Sequence, residues 1–313
     1  MQQMKKQRRV SLRKVLSNLD LSEIEAHLFK KYRYEKGKPG RPPQSPTGLF
    51  LCFILMFLRM ESYRDFHAFL EKDQFWRRYL GFTKTPDIGT FSHFIDRIGE
   101  HLFEQLSHQI VQQLLDNHFL SRHCIAIDGS ILEGNLDDKQ AAWGWDHIKK
   151  CYIYGYKIHV IVDTKTELPL AIHLTKANVH DSQAFIPLYR QVKAYDSRFR
   201  IVSFLADKGY DSSKIRQKLL NDGVKPIIKA AKTRIKPQYP LWFLKKYRRR
   251  TSVERFFSRL KEYLDLKRLR IKGITQVKLI SYLISIGMLL IAYLNDQVGC
   301  SPRSIKSFMR RWM

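Results

Sequence analysis

From Leu21 to about Leu120 the apolar positions recur at helical spacing, with frequent interruptions. Ser45 followed by Pro46 predicts the capped start of a helix running through Met60, and Ser62 with Asp65 forms the capping start of the next. Gly81 stops another helix that ends at Leu80. In "PDIGTFSHFIDRIG" (Pro86 to Gly99), the apolar Phe91, Phe94, Ile95 and Ile98 share one helical face and read as core. The turn-rich, basic "GKPGRPPQSP" (Gly37 to Pro46) separates a first basic helix from the apolar one. Four or five short helices in a small domain over residues 1–120 follow from this pattern. A helix-turn-helix fits the region, but the pattern selects no recognition helix.

At Cys124 the period shifts to that of strands. "CIAID" is a short buried run ending in an acid; "YGYKIHVIVD" (Tyr154 to Asp163) and "LPLAIHL" (Leu168 to Leu174) flank the turn Thr164 to Glu167 as a hairpin. A helix over Ser182 to Ala194 leads to strand "IVSFLAD" (Ile201 to Asp207), helix Ser212 to Leu220, strand "VKPIIK" (Val224 to Lys229) and a long basic helix from Lys245 to Leu266. A hairpin followed by alternating strand and helix implies a mixed sheet with helices on both faces. The expected fold of residues 121–313 is therefore a ribonuclease-H-like α/β domain around a five-stranded sheet, preceded by the all-helical N-terminal domain.

Charge narrows the function. Among 313 residues, 56 Lys and Arg stand against 29 Asp and Glu, a net charge of +27 that points to a polyanionic partner. Lys229 to Lys272 holds 16 basic and 3 acidic residues, and Met1 to Pro43 holds 12 and 4. Merely solvated faces usually mix the signs, so both stretches read as contact surfaces. The four cysteines, Cys52, Cys124, Cys151 and Cys300, are far apart with no metal or disulfide spacing, which fits a reducing cytoplasm. The basic N-terminus has no apolar core of a signal peptide, and the apolar runs Leu49 to Leu58 and Leu279 to Leu294 are shorter than a usual bilayer span. No membrane association is expected.

Two acids sit at the ends of buried strands beside glycine: Asp128 before Gly129, and Asp207 before Lys208 and Gly209. In open sheets flanked by helices, that edge is where ligands bind. If the two strands are neighbours, their carboxylates emerge together and repel unless a cation lies between them. Oxygen-only ligation suits Mg²⁺, with Mn²⁺ as a substitute. Glu254 is the candidate third acid of a two-ion site, in which ions about 4 Å apart serve in-line phosphoryl transfer. Taken singly, each acid reads better as a cap of the turn that follows, but three in this order on this strand pattern do not. Asp137, Asp138 and Asp146 fall in a loop rich in Gly and Trp, Asp181 reads as the N-cap of the next helix, and Asp211 as the cap of its own; all are expected to be structural.

Tyr247, Arg250, Glu254 and Lys261 are spaced to share one face of the basic helix, with Val253, Phe257 and Leu260 as an apolar stripe for the other side. An exposed Arg250–Glu254 pair contributes only a few tenths of a kcal/mol and accounts for neither the aromatic nor the other cations.

That Tyr-x2-Arg-x3-Glu-x6-Lys pattern resembles the signature of insertion-sequence transposases of the IS4 type with a DDE domain. "IDGSILE", "GYKIHVIVDTKTELPLAIHLTKANVHDS" and "LADKGYDS" resemble the same family's first-acid, hairpin and second-acid segments, and "RPPQSP" with "PDIGTFSHF" resembles its helical start. The resemblance implies that Asp128, Asp207 and Glu254 ligate the metals and that Tyr247, Arg250 and Lys261 contact phosphates at the transposon ends. It implies double-stranded DNA, both element ends and target, as partner, cut at the 3′ ends by water and joined by attack of the 3′-hydroxyl. A homodimer holding both ends, and a place at the prokaryotic nucleoid, go with that chemistry.

The spacing departs from well-studied relatives. Asp207 and Glu254 are 47 residues apart, too few for a long β-stranded insertion and closer to the compact IS5-like arrangement. Hairpin-forming relatives stack an aromatic from that insertion on a flipped base; in "YPLWFL", Trp242 or Tyr239 is available, but the segment reads better as packing. Two other readings stand beside transposition: a nuclease of the same fold without strand transfer, and a transposase-derived DNA-binding regulator without catalysis.

Overall fold

The structure is a computed structural model of the chain and describes residues 11–32, 44–147, 149–195, 200–231, 237–263, 269 and 271–304. Most of the linker Gly37 to Pro46, much of the N-terminal basic stretch and the basic C-terminal tail lie outside the described residues. Two compact units make up the chain: Met1–Ile110 with Tyr282–Met313, and Val111–Ser281.

In the first unit, short helices succeed one another as α1 (Leu12–Ser17), α2 (Ser22–Tyr32), α3 (Pro46–Arg59), α4 (Tyr63–Lys72), α5 (Gln74–Tyr79) and α6 (Ile88–Ile98), followed by α7 (His101–Asp116), which runs on into the second unit. Seven described helices stand where four or five were expected; Asp73, which caps α5 by accepting from the Trp76 amide, accounts for one of the extra helices by dividing one polar stretch into two. The caps read from sequence hold: Ser45 accepts from the Gly48 amide, Ser62 from the Asp65 amide, and Met60 closes α3 in the left-handed conformation. Phe91, Phe94, Ile95 and Ile98 are buried, and Phe53 packs against both Phe91 and Phe94.

The second unit is built on β1 (Cys124–Glu133), β2 (Ala142–Asp146), β3 (Cys151–Asp163) and β4 (Pro169–Lys176), then α8 (Asp181–Ala194), β5 (Ser203–Ala206), α9 (Ser213–Asn221) and β6 (Lys225–Ile228). After these come α10 (Leu241–Tyr247), a 3-10 turn over Arg248–Arg250, α11 (Thr251–Tyr263) and α12 (Ile274–Gln297), the last returning to the first unit. The strands form one mixed sheet in the order β2-β3-β1-β5-β6, with β4 also on β3. β3 is antiparallel to β1, β2 and β4, whereas β1, β5 and β6 run parallel. This is the ribonuclease-H-like arrangement.

The sheet has six strands rather than five. Residues 142–146 read as a loop from their Gly and Trp content, yet they pair with the start of β3, where Trp143 faces Tyr154 and Trp145 faces Tyr152 at ring separations of 5.3 and 5.0 Å. Cross-strand aromatic pairs of this kind stabilise a short edge strand against its poor local propensity. The basic helix is likewise not continuous: the Arg248–Arg250 turn breaks it between Tyr247 and Glu254. By length and composition α12 is the one described helix able to cross a bilayer, but 83% of its apolar window is packed inside the protein.

Candidate active site

β1 and β5 pair in parallel through Cys124 with Ser203, Ile125 with Phe204 and Ala126 with Leu205. Two residues beyond that last pair stand Asp128 and Asp207, level on neighbouring strands whose backbones in such a sheet lie about 5 Å apart. The expectation that Asp128 ends its strand is corrected: β5 stops at Ala206, while β1 continues to Glu133 with β3 as its partner. The loss of a neighbour on one side opens the sheet where the two acids emerge.

Both acids also serve locally, as the cap reading anticipated. Asp207 Oδ1 accepts from the Gly209 amide at 2.8 Å, and Asp128 Oδ1 from the Gly129 amide at 2.8 Å. The glycines are there for close approach. A Cβ on Gly129 would stand 2.8 Å from His159 Nδ1, and one on Gly209 would stand 3.0 Å from Asp207 Oδ1.

Burial pushes the Asp128 carboxyl up to about 7, opposed by Arg250 and the Gly129 amide and reinforced by the negative charges of Asp207 and Asp181. Arg250 reaches across from the 3-10 turn. Its Nη1 donates to Asp128 Oδ2 at 2.9 Å, and its Nη2 donates to Glu254 Oε1, so one guanidinium bridges two of the three acids. Burial opposes the charge on Arg250, but Asp128, Tyr247, Glu254 and Asp207 outweigh it and hold the group protonated.

Glu254 lies in the first turn of α11, half exposed, on a helix fastened from beneath. Val253, Phe256, Phe257 and Leu260 are buried, which carries out the expected apolar stripe and adds Phe256 to it. On the same helix Arg255 Nε and Arg259 Nη1 contact the buried carboxylate of Glu167 at 2.7 and 2.9 Å. Glu167 itself sits in the turn between β3 and β4 with φ 64°, so that turn holds the helix that delivers Glu254.

Tyr247 ends α10, its ring stacked on Phe243 at 6.0 Å and capped by Lys229 Nζ at 4.5 Å. Burial raises its phenol, as do the charges of Asp207 and Asp128, while Arg250 opposes them. Lys261 lies on α11 two turns past Glu254 and is half-buried. Tyr239 packs on Phe243 at 4.5 Å, and its hydroxyl accepts from the Ala230 amide at 2.7 Å. Trp242 is 49% exposed, with Lys225 Nζ 3.8 Å from its ring.

Several acids behave differently from expectation. Asp181 is not the N-cap of α8; His180 takes that place, accepting from the Ser182 amide, and the Asp181 carboxylate lies at the open sheet edge beside Gly129 and Gly209. There Lys157 Nζ donates to its Oδ1 at 3.0 Å, and His159 Nδ1 lies 3.9 Å from the same oxygen. Asp211 does not cap α9, which begins after Ser212; it accepts instead from Arg216 Nε at 2.8 Å and from the Ala231 amide at 2.7 Å. Asp146 closes β2, and Asp138 is structural as read, taking bonds from the Tyr156 hydroxyl and the Gly273 amide. The missed signal for Asp181 lies in "GYKIHV", where Lys157 and His159 put two polar groups on one face of an otherwise buried strand.

The donors at this edge suit a hard divalent cation. They are carboxylate oxygens, two of them level on adjacent strands, and a Cβ at Gly209 would fill the space where the carboxylates of Asp207 and Asp181 approach one another. Glu254 is held to the pair through Arg250, and among the described residues no three such side chains stand ready around a single point.

This sheet topology is ribonuclease-H-like, with two acids level at its open edge. The family described as "Transposase DDE domain" matches residues 120–290, and the family described as "Transposase domain (DUF772)" matches residues 1–97. The chain belongs to the DDE transposase family and is a DNA transposase, an enzyme that acts on DNA with divalent metal. Curated protein sequences give no match. Among solved structures, a piggyBac transposase synaptic complex with hairpin DNA is 12% identical, with 95% of this chain and 76% of that chain covered at a TM-score of 0.45. The catalytic domain of the Mos1 mariner transposase is 13% identical, with 69% and 92% covered at 0.32. The catalytic core domain of BIV integrase is 14% identical, with 61% and 97% covered at 0.33.

Proposed function

We propose that this transposase binds the terminal inverted repeats of an insertion sequence, cuts their 3′ ends and joins them to target DNA, with Asp128, Asp207 and Glu254 as its catalytic acids. The level placement of Asp128 and Asp207 on parallel strands carries this reading, because it sets two half-buried carboxylates side by side at the open sheet edge, where a cation would relieve their repulsion. Two Mg²⁺ ions, or Mn²⁺ in their stead, held by the three acids would activate the attacking oxygen and stabilise the leaving one.

The protein's own groups do the rest. Glu254 reaches the edge from a helix clamped on Glu167, so its carboxylate is pre-positioned and costs little ordering when DNA arrives. Arg250 pairs with Asp128 and Glu254 in the DNA-free protein, and its planar fork suits a phosphate equally well. With Tyr247 and Lys261 it forms the grip on the backbone of the transposon end, a grip that is strong, salt-dependent and poor in sequence information. Joining two ends in one reaction calls for a homodimer in the synaptic complex. The protein would work in the prokaryotic cytoplasm at the nucleoid, away from membranes.

A Mg²⁺-dependent assay on DNA carrying the element's inverted repeats, following cleavage and joining to a second DNA, tests the reading. Both products from the wild type and neither from Glu254→Gln are expected. Cleavage without joining would leave a nuclease; DNA binding alike in both proteins without any product would leave a regulator.

A further inference from the structure

Resting on the reading of this edge as the metal centre, we propose that Asp181 is a fourth carboxylate of that centre: a positioning residue that holds the hydrated cation from the Asp207 side. Its place in the fold is specific. Asp181 is the first residue of α8, after the cap His180, and its carboxylate lies against Lys157 and the backbone at Gly129 and Gly209. One oxygen is committed, since Oδ1 accepts from Lys157 Nζ at 3.0 Å. The other, Oδ2, stands 3.3 Å from the point where a Cβ on Gly209 would lie, and Asp207 Oδ1 stands 3.0 Å from that same point. Two carboxylates thus converge on a space that only a glycine leaves open.

The neighbourhood of Asp181 also holds polar groups that the protein leaves unsatisfied. The His159 side chain is fully buried; its Nε2 meets Thr175 Oγ1 at 3.0 Å, but its Nδ1, facing Asp181 Oδ1 at 3.9 Å, has no hydrogen-bond partner. The hydroxyl of Tyr210, three residues past Asp207 and fully buried, is without a partner too. Buried polar atoms are normally paired, so these two leave room for a water or ion as partner. Burial holds the His159 imidazole at about 3, hence neutral, so it is an available acceptor or donor for water and adds no positive charge to repel a cation.

Mg²⁺ keeps several of its waters when bound to protein, and carboxylates that grip those waters orient the ligand sphere. Asp181 has what that role needs: a negative charge, one oxygen fixed by Lys157, the other directed toward Asp207. A salt bridge alone would need neither the open space at Gly209 nor the uncommitted His159 Nδ1.

Mn²⁺ binding by the full-length protein, followed through the electron paramagnetic resonance of the free ion at pH 8 without DNA, separates the possibilities. Asp181→Asn is expected to weaken Mn²⁺ binding about tenfold or more, the usual effect of losing such a partner, with Asp181→Glu recovering part of it and Asp207→Asn losing at least as much as Asp181→Asn. Binding by Asp181→Asn within twofold of wild type, while Asp207→Asn loses the ion, would overturn the role of Asp181 and leave the metal centre standing. Wild-type affinity in Asp207→Asn as well would overturn the metal centre and this role with it. A second measurement needs no variant: Fe²⁺ with ascorbate should cut the wild-type backbone near residue 181 as well as near 128 and 207, in competition with Mg²⁺. Cuts at 128 and 207 without one at 181 would count against the proposal even if Asp181→Asn failed to fold.

Discussion

Arg250 donates from Nη1 to Asp128 Oδ2 at 2.9 Å, placing a residue expected on DNA phosphate between two of the acids expected on metal. The guanidinium therefore competes with a cation for the same carboxylate. Two opposite effects should follow from Arg250→Ala. Mn²⁺ binding without DNA, measured at pH 8.5 where Asp128 is ionised, should become tighter. DNA affinity should fall, and the slope of log affinity against log salt should shrink by about 1, as for the loss of one phosphate contact. Unchanged values of both would remove Arg250 from the site.

Asp128 makes the metal-free protein sensitive to pH. Its carboxyl titrates near 7 in the fold against 3.8 in the unfolded chain, chiefly through burial. Between these values the folded state binds more proton than the unfolded one, so stability is highest below about pH 4 as far as this group is concerned and is lost as pH rises to 7, at no more than about 1.4 kcal/mol per unit. Thermal unfolding in EDTA should show the wild type losing ground to Asp128→Asn over that window. Added Mn²⁺ should return stability to the wild type alone.

Glu167 fastens the helix that carries Glu254. Its side chain is 1% exposed and that of Arg259 is 11% exposed, so Glu167→Ala removes the carboxylate that offsets a largely buried cation. A loss of about 3 kcal/mol in denaturant unfolding is expected, along with weaker cleavage from a loosened Glu254. Arg255 is 54% exposed, so Arg255→Ala should cost far less, within about 1 kcal/mol.

Gly129→Ala should fail for steric reasons, since its methyl would meet His159 Nδ1 at 2.8 Å on a fully buried ring. Gly209→Ala is a subtler change, with contacts of 3.0 and 3.3 Å to the carboxylates of Asp207 and Asp181. It should fold with a near wild-type melting temperature in EDTA yet bind Mn²⁺ less well. Wild-type Mn²⁺ affinity in Gly209→Ala would mean that the space between these acids holds nothing.

Much of this protein is legible along the chain because its signals are local. The caps at Ser45 and Ser62, the buried face of Phe91, Phe94, Ile95 and Ile98, the hairpin around Thr164 to Glu167, and acids followed by glycine after buried strands all depend on residues a few positions apart. The order of those elements implies the mixed sheet, and the order of the acids implies the class of chemistry. The edge strand at Ala142–Asp146 was hidden because what stabilises it, the facing rings of Tyr152 and Tyr154, belongs to another strand.

By itself the sequence determined most of the elements and the family, and it singled out three candidate acids, since periodicity, capping and motif spacing are written within short windows. Only the tertiary structure decided that Arg250 bridges Asp128 and Glu254, that Glu167 anchors the helix carrying Glu254, and that Asp181 leaves the role of cap to His180 and turns toward Asp207. The contacts of Arg250 with Asp128, of Glu167 with the helix that carries Glu254, and of Asp181 with the Asp207 segment join residues tens to more than a hundred positions apart. Strand register and close packing set such distances, and no local pattern contains them.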